Sequence, residues 1–539
     1  MDAEETLLFI LGAVAVIVVV RRIADKTGLP SAALLTVIGI VYAVLPGPNL
    51  VLDPEIVLTY IIPPLLYIAA LDSSLLDIRR NLRTVISLSV LLVFATALLV
   101  GVGFHLLVAG GTLAAGVALG AAVAPPDPVA ALAVGRRAGL PTNLVTIIQG
   151  EGLLNDGTAL TILTVAVAAA EGDGFDAPQA TGQFFLVSVG GVVAGVLVAL
   201  VVRWLRHFRG DPLTANAISL ATPFGAYLLG VSVHVSGVLA VVVAGLIIGH
   251  DSPRYAAAAS RIQTNAVWRL VGFLLEGIVF LLIGQQLPRV IRDLADHDVG
   301  TILAALGVSL GVVLLLRPLW LILTQMLPGS LHTRLGGEGE SRILDKALSG
   351  TEVTVLSWAG TRGVISLAAI FTLTDAVPQH GLLQFCAFVV VLVTLVGQGL
   401  TFAPLVRRLG VRANRNDLAR ERNEARSAAV RAALDRLDEI QQEKHDHIED
   451  RAIENMRRQL EIRLDRYRKR LDMLENAEAD DEVPTSPQYE ATLMVRRAVI
   501  GAQREELLRW RDAGNLNDDG LRILERELDH EERVLPERS

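Results

Sequence analysis

Long apolar segments alternate with short polar ones over the first 410 residues of the chain. Thirteen of these segments are predicted to be membrane helices, because about 20 residues at a rise of 1.5 Å each cross the hydrocarbon core. They lie near residues 6–20, 31–46, 56–71, 85–108, 112–134, 143–170, 183–204, 214–233, 236–250, 266–287, 300–326, 352–374 and 382–406. The pattern therefore predicts an all-α polytopic membrane protein with thirteen transmembrane helices.

The basic residues of this region indicate its orientation. Residues 1–410 contain 23 Arg and Lys, of which 18 fall on one side when the loops are assigned to alternating sides. The opposite side has two, Arg289 and Arg292. Because positively charged loops stay in the cytoplasm, we expect a multi-pass protein of the cell membrane, with its N-terminus outside and its C-terminus inside.

The remaining residues, 411–539, differ sharply from the apolar domain 1–410. They carry 25 basic and 31 acidic residues among 129 positions. Apolar residues at helical spacing predict helix over 416–478, folded into a hairpin or coiled coil, and shorter helices near 488–512 and 518–534. We expect a cytoplasmic, helical, regulatory tail. Its mixed-sign charge is typical of a solvated face, and any ligand of the tail is unidentified.

Composition excludes several classes of protein. The chain has one cysteine, Cys386, so a disulfide framework or a cysteine-based metal site is excluded. It has no nucleotide-binding, metalloprotease or nucleophile-elbow motif, so neither an enzyme nor ATP-driven transport is supported. We expect no cofactor and no nucleic-acid partner.

Ionisable residues within the apolar segments are the candidates for function, because each costs about 2.5–3.5 kcal/mol at a membrane centre. Asp127 lies among Pro125, Pro126 and Pro128 in the fifth segment. Prolines remove backbone donors, so this helix must be interrupted. Unwound backbone at membrane depth is tolerated where it lines a cavity or is covered by protein.

The sixth segment carries two carboxylates. Glu151 and Asn155 are four residues apart and share a helix face, whereas Asp156 lies about 140° around the helix from Glu151. The two carboxylates therefore face different neighbours. One of them can belong to a structural ion pair while the other faces a transport pathway.

The twelfth segment is predicted to contain a second break, because Gly360 and Gly363 flank Arg362 in an apolar span. The two breaks are seven helices apart. Since seven is odd, helices 1–6 and 8–13 are predicted to be inverted repeats, and paired breaks of this kind indicate a transporter's binding site. Glu276 and Arg317 also lie within spans, as structural partners or as functional residues.

At these residues the chain resembles the monovalent cation:proton antiporters, the family of sodium/hydrogen exchangers. The resemblance covers roughly residues 5–410. It rests on the strings Pro125-Pro126-Asp127-Pro128, Gly150-Glu151-Gly152-Leu153-Leu154-Asn155-Asp156, Gly360-Thr361-Arg362-Gly363, Pro63-Pro64 and Phe280 to Pro288.

The resemblance implies a homodimer of inverted-repeat protomers and a role for each matched residue. Asp156 is then the carboxylate that binds the cation or the proton, Asp127 its partner and Asn155 a neighbour that shapes the site. Glu151 and Arg362 are implied to form a buried ion pair. Two positions depart from the family, because Pro126 and Gly152 stand where members often have Thr and Ser.

These two departures remove a side-chain oxygen, so we expect the backbone carbonyl of Pro126, with water, to serve the cation. The secondary candidates for the site are Glu276, Arg317 and Thr361.

The predicted function is exchange of cytoplasmic Na⁺, or Li⁺, for external protons by alternating access. The adjacent Asn-Asp pair resembles the electroneutral branch of the family, with one cation exchanged for one proton. A K⁺-selective antiporter is the alternative. A cation channel and a membrane-anchored sensor or scaffold are the two other classes of function.

Overall fold

The chain is helical throughout the part that the structure describes. The computed structural model describes residues 3–45, 54–171, 177–207, 212–255, 258–294, 297–326, 348–374, 376–413, 415–442, 450–475, 487–513 and 518–533. These residues form helices and contain no β-strand, which confirms the all-α prediction. Contacts divide the chain into two compact units, Met1–Arg412 and Ala413–Ser539.

The first unit contains seventeen helical segments within its described residues. In chain order they are α1 (Ala3–Thr27), α2 (Ser31–Val44), α3 (Pro54–Leu71), α4 (Leu75–Arg80), α5 (Leu82–Leu107), α6 (Leu113–Val123), α7 (Pro128–Ala138), α8 (Thr142–Glu171), α9 (Ala177–His207), α10 (Pro212–Ser232), α11 (Gly237–Tyr255), α12 (Ala258–Gln285), α13 (Leu287–Arg292), α14 (Val299–Met326), α15 (Gly350–Trp358), α16 (Val364–Ile370) and α17 (His380–Leu409).

Nine helices in the described ranges are long and apolar enough to cross a membrane, as expected of a multi-pass membrane protein. The other four predicted spans fall on α2, α10 and two interrupted pairs, α6–α7 and α15–α16. Helix α2 has 14 residues, and each break divides an apolar run into two short helices. The count of thirteen crossings and the inverted repeats therefore stay predictions.

Close helix contacts hold this unit together where two glycines face each other. Helices α2 and α12 pack at Gly39 and Gly284. A Cβ atom added at Gly39 would lie 2.2 Å from the carbonyl oxygen of Leu281, and one at Gly284 would lie 2.2 Å from that of Thr36. Glycine is therefore required at both positions for the backbones to approach this closely.

Apolar side chains cover both the interior and part of the exterior of the first unit. Tyr67, Phe104 and Phe388 are fully buried in its main core. By contrast, leucine, valine and phenylalanine side chains on α1 and α9 are exposed, including Leu8 and Phe185. Large exposed apolar surfaces of this kind are typical of helices that face lipid.

The described residues of the second unit form four helices, α18 (Arg415–Gln442), α19 (Asp450–Glu475), α20 (Pro487–Asp512) and α21 (Asp518–Arg533). Helix α18 packs against α19, and α20 packs against α21. Arg457 of α19 donates to Asp438 of α18 at 2.5 Å. Of the two predicted arrangements, a hairpin or a coiled coil, α18 and α19 form the hairpin, and the two shorter helices are confirmed. Residues 443–449 and 476–478 of the predicted helical range lie outside the described residues.

Candidate functional site

The two interrupted helices meet at their breaks. The first break, residues 124–127, separates α6 from α7, and the second, 359–363, separates α15 from α16. The N–H of Asp127 donates to the carbonyl oxygen of Thr361 at 2.6 Å. The Thr361 hydroxyl donates in return to the carbonyl oxygen of Asp127 at 2.9 Å. Each break thus satisfies backbone groups of the other, and Thr361 joins them.

The carboxylate of Asp127 lies at the N-termini of two half-helices. It accepts a hydrogen bond from the N–H of Val129, near the start of α7, at 2.9 Å. It also accepts one from the N–H of Val364, the first residue of α16. Helix N-termini carry unpaired N–H groups and positive dipole ends, so this position stabilises the anionic form of Asp127.

Gly363 is the residue that lets α16 approach this carboxylate. A Cβ atom at position 363 would lie 1.7 Å from Oδ2 of Asp127. No side chain fits in that space, so the glycine predicted to break the helix has a second function here. It admits the Asp127 side chain to the end of α16.

Arg362 lies at the C-termini of the other two half-helices, α6 and α15. Its Nε donates to the carbonyl oxygen of Val123, the last residue of α6, at 2.9 Å, and its Nη1 donates to that of Gly360, just beyond α15. Helix C-termini present unpaired carbonyl oxygens and negative dipole ends, which a cation stabilises. The crossed breaks therefore have an anion at two N-termini and a cation at two C-termini.

The prediction that Glu151 pairs with Arg362 is wrong. Glu151 is bound through both carboxylate oxygens by Arg317 of α14, with the Nη2–Oε2 distance at 2.8 Å. Arg317 also donates from Nε to the carbonyl oxygen of Leu356 at 3.1 Å. Arg362 lies near this pair but is engaged by the backbone carbonyls. The ion pair of the core is therefore Glu151–Arg317.

Asn155 connects α8 to the first break. Its amide Nδ2 donates to the carbonyl oxygen of Pro126 at 2.9 Å, and the side chain is fully buried. Its Oδ1 atom is buried with no hydrogen-bond partner among the described residues. Asn155 thus fixes the position of the break and presents an unused acceptor oxygen. The Pro126 carbonyl, expected to serve the cation, already accepts this bond.

Asp156 is the carboxylate of α8 for which the described part of the chain supplies no partner. Asp156 is 5% exposed, compared with 1% for Glu151 five residues earlier. Across the described ranges no hydrogen bond or ion pair to its carboxylate occurs, and Asp127 is a neighbouring like charge. The prediction that the two carboxylates of α8 face different neighbours is confirmed.

The two aspartates line one cavity of about 70 Å³ between α3, α8, α12 and the two breaks. Its walls include Pro126, Phe280 and Ser366, whose hydroxyl is buried without a partner in the described part of the chain. The cavity also contains Glu276 of α12. Carboxylate, amide and hydroxyl oxygens are the ligands that small hard cations prefer. A space of this size holds a cation together with water.

The packing of α8 against the start of α7 explains why position 152 is a glycine. A Cβ atom at that position would lie 2.5 Å from the ring of Pro128. A serine there would displace α7, so this cavity has no side-chain oxygen at position 152. Ser366, which sequence reasoning did not single out, supplies a hydroxyl on the facing wall.

Comparison with known proteins gives a consistent result. A family model described as the transmembrane sodium/hydrogen exchanger matches residues 12–408. An uncharacterised Na⁺/H⁺ exchanger of Mycobacterium tuberculosis is 33% identical, with 98% of this chain and 95% of the relative covered. The Na⁺/H⁺ antiporter ApNhaP of Aphanothece halophytica is 29% identical, over 76% of this chain and 74% of the relative.

Two further matches extend this comparison. A Bacillus subtilis protein named as a sodium, potassium, lithium and rubidium/H⁺ antiporter is 29% identical, over 74% of this chain and 60% of its own length. The solved structure of the sodium proton antiporter MjNhaP1 from Methanocaldococcus jannaschii at pH 8 has a similar fold, with a TM-score of 0.56 and 19% identity. The match covers 76% of this chain and 99% of the MjNhaP1 chain.

Proposed function

This chain belongs to the sodium/hydrogen exchanger family, and from that premise we propose that it exchanges cytoplasmic Na⁺ for external protons at Asp156. The observation that carries the proposal is the contrast between two buried carboxylates of α8. Glu151 is neutralised by Arg317, whereas Asp156 has no partner in the described residues and lines a cavity with Asp127.

The competition between cation and proton follows from this environment. A carboxylate without a partner at membrane depth is costly as a free anion, so it is neutralised by whatever positive species reaches it. A proton on Asp156 and a cation beside Asp156 are alternative ways to achieve this. The site at Asp156 therefore holds either the cation or the proton at any one time. Exchange requires that the site be occupied when its access changes from one side of the membrane to the other.

The stoichiometry follows from the second aspartate. Asp127 accepts two backbone hydrogen bonds at helix N-termini, and both offset part of the cost of burying its charge. Asp156 accepts none among the described residues, so we propose that Asp127 stays ionised and that Asp156 alone changes its protonation state. We therefore propose electroneutral exchange of one cation for one proton, with Asn155, Ser366 and water as further oxygen ligands.

The choice of cation is proposed as Na⁺, with K⁺ and Li⁺ as competitors. The named functions of the relatives support sodium, and one relative's name includes potassium and lithium. The cavity has no side-chain oxygen at position 152, so we expect water to complete the coordination shell. A shell completed by water selects less strictly by ion size than one built entirely from protein.

The remaining features are proposed from the sequence. The loop charges support an external N-terminus and a cytoplasmic tail. The family supports a homodimer that works by alternating access. The tail, with its own compact fold, is proposed to regulate exchange and to bind a ligand that is unidentified.

The experiment that tests this function is exchange in proteoliposomes containing purified protein. With a proton gradient imposed, each alkali cation is supplied in turn and internal pH is followed with a fluorescent dye. We expect Na⁺ to dissipate the gradient in the wild type and no cation to do so in Asp156→Asn. Cation flux that leaves the pH gradient unchanged would indicate a channel, and unchanged exchange in Asp156→Asn would refute the site.

A further inference from the structure

A second cavity adjoins the cation cavity. It has a volume of about 60 Å³ and lies between α1, α2, α7 and α12. Arg21, near the end of α1, and Pro30, at the start of α2, line it. The two cavities share Val129, Glu276 and Phe280. Among the described residues, Glu276 is the only ionisable one in both linings, so it lies between Arg21 and the two aspartates.

The surroundings of Glu276 do not neutralise it by direct contact. Its carboxylate makes neither a hydrogen bond nor an ion pair with any residue that the structure describes. Two charged residues interact with it at longer range, Asp127 from one cavity and Arg21 from the other. The other residues that line the second cavity, including Ile17 and Phe280, are apolar except for Ser31.

Arg21 is a long-range counter-charge of Glu276 and not a contact partner. Its guanidinium is half exposed and lies 3.5 Å from Asp25, one turn along α1. An exposed contact of this kind is weak, so the side chain can turn away from Asp25 at little cost. This differs from the buried Arg317, which is bound to Glu151 through both carboxylate oxygens.

We propose that Glu276 is a second cation-binding carboxylate. It binds the cation where the cavity lined by Arg21 adjoins the cavity lined by Asp156. The inference rests on the proposed function of Asp156. A carboxylate without a contact partner in an apolar wall attracts cations into the passage beside it, because the surrounding low dielectric concentrates its field. Arg21 competes with the cation for Glu276 and thereby limits its occupancy.

The test is the dependence of exchange rate on cation concentration in proteoliposomes. We expect Glu276→Gln to raise the cation concentration for half-maximal exchange about tenfold, with the maximal rate within about twofold of wild type. Glu276→Asp should retain most of the affinity. The matched control is Glu171→Gln, the same change in a carboxylate outside both cavities, which should have no effect.

The double mutant separates binding from packing. Arg21→Gln should lower the half-maximal concentration about threefold in the wild-type background and leave it unchanged in Glu276→Gln. Equal effects of Arg21→Gln in both backgrounds, or an unchanged affinity in Glu276→Gln, would overturn the inference. If Glu276→Gln does not fold, an unchanged affinity in the folded Arg21→Gln protein overturns it instead.

Asp156→Asn, measured in parallel, distinguishes failure of the second cation site from failure of the proposed function. Loss of exchange in Asp156→Asn with normal affinity in Glu276→Gln would refute the second site alone. Retained exchange in Asp156→Asn would refute the proposed function itself.

Discussion

Two carboxylates on one helix have opposite surroundings. Glu151 and Asp156 are five residues apart on α8, and both are buried. Glu151 is held by two hydrogen bonds from Arg317, which itself also binds a backbone carbonyl. Asp156 has no such partner within the described ranges and lines a cavity with Asp127. The helix therefore carries one neutralised charge and one that something else must neutralise.

The difference teaches how a membrane protein separates stability from transport. A buried ion pair is destabilising to break, because the residue left behind is an unpaired charge. A buried carboxylate without a partner is destabilising to keep, unless a proton or a cation occupies it. The first arrangement fixes the helices, and the second one makes exchange possible.

The largest expected effect is on transport at Asp156. Asp156→Asn removes the group that takes up a proton or a cation, so exchange should fall to the level of empty liposomes. The protein should remain folded, since neutralising an unpaired buried charge does not weaken the core. Exchange is measured with a pH-sensitive dye, and folding by size-exclusion chromatography in detergent. Glu171→Gln, at the exposed end of the same helix, is the control and should exchange normally.

The second-largest expected effect is a loss of stability when the Glu151–Arg317 pair is broken. Glu151→Gln or Arg317→Met should each cost about 3–5 kcal/mol, because each leaves one member of the buried pair without its partner. The double mutant should lose less than the sum of the two. Thermal unfolding in detergent measures all three proteins. Additive losses would mean that Glu151 and Arg317 do not stabilise each other.

A smaller effect is expected at the point where α16 approaches Asp127. In Gly363→Ala the added methyl group must displace the Asp127 carboxylate, which would otherwise lie 1.7 Å from it. Displacement of a binding group by about 1 Å reduces function up to a hundredfold, so we expect the cation affinity to fall tenfold or more.

The matched control for that change is Gly12→Ala in α1, where an added Cβ atom would meet nothing within 4 Å. It should leave the affinity unchanged. Equal affinities in Gly363→Ala and Gly12→Ala would show that the end of α16 does not position Asp127.

The smallest expected effect concerns the second unit. Truncation after Arg412 removes a part of the chain with its own compact fold, so exchange should continue. If the tail regulates exchange, the pH dependence of the rate should shift in the truncated protein. We expect the intact tail to inhibit exchange, so the truncated protein should be the faster one. Rates are compared across pH in matched vesicles. Superimposable curves would exclude regulation, and a folded but inactive truncation would make the tail necessary for transport.

The sequence was sufficient to predict the local features of the site. Prolines around Asp127 and glycines around Arg362 predict backbone breaks, since these residues act on their own segment of chain. Helical geometry places Glu151 and Asp156 on different faces of one helix. These predictions depend on neighbours within a few residues, which is why they could be made without a structure.

The pairing between distant segments could not be predicted in this way. Arg317 and Arg362 are both arginines in apolar spans, and nothing near them in sequence tells which one reaches Glu151. The choice depends on how α14 packs beside α15, where Arg317 also finds the Leu356 carbonyl. Arg362 instead donates to the carbonyl oxygens of Val123 and Gly360. These oxygens lack a helical hydrogen-bond donor because the helices are broken at these points.

The measurement that tests the central claim most directly is proton release on cation binding. Purified protein in detergent is titrated with NaCl by calorimetry in buffers of different ionisation enthalpy, and the dependence on buffer gives the protons released. If cation and proton compete for Asp156, the wild type and Glu171→Gln should release about one proton for each cation bound, and Asp156→Asn none. Undiminished proton release from Asp156→Asn would contradict the account.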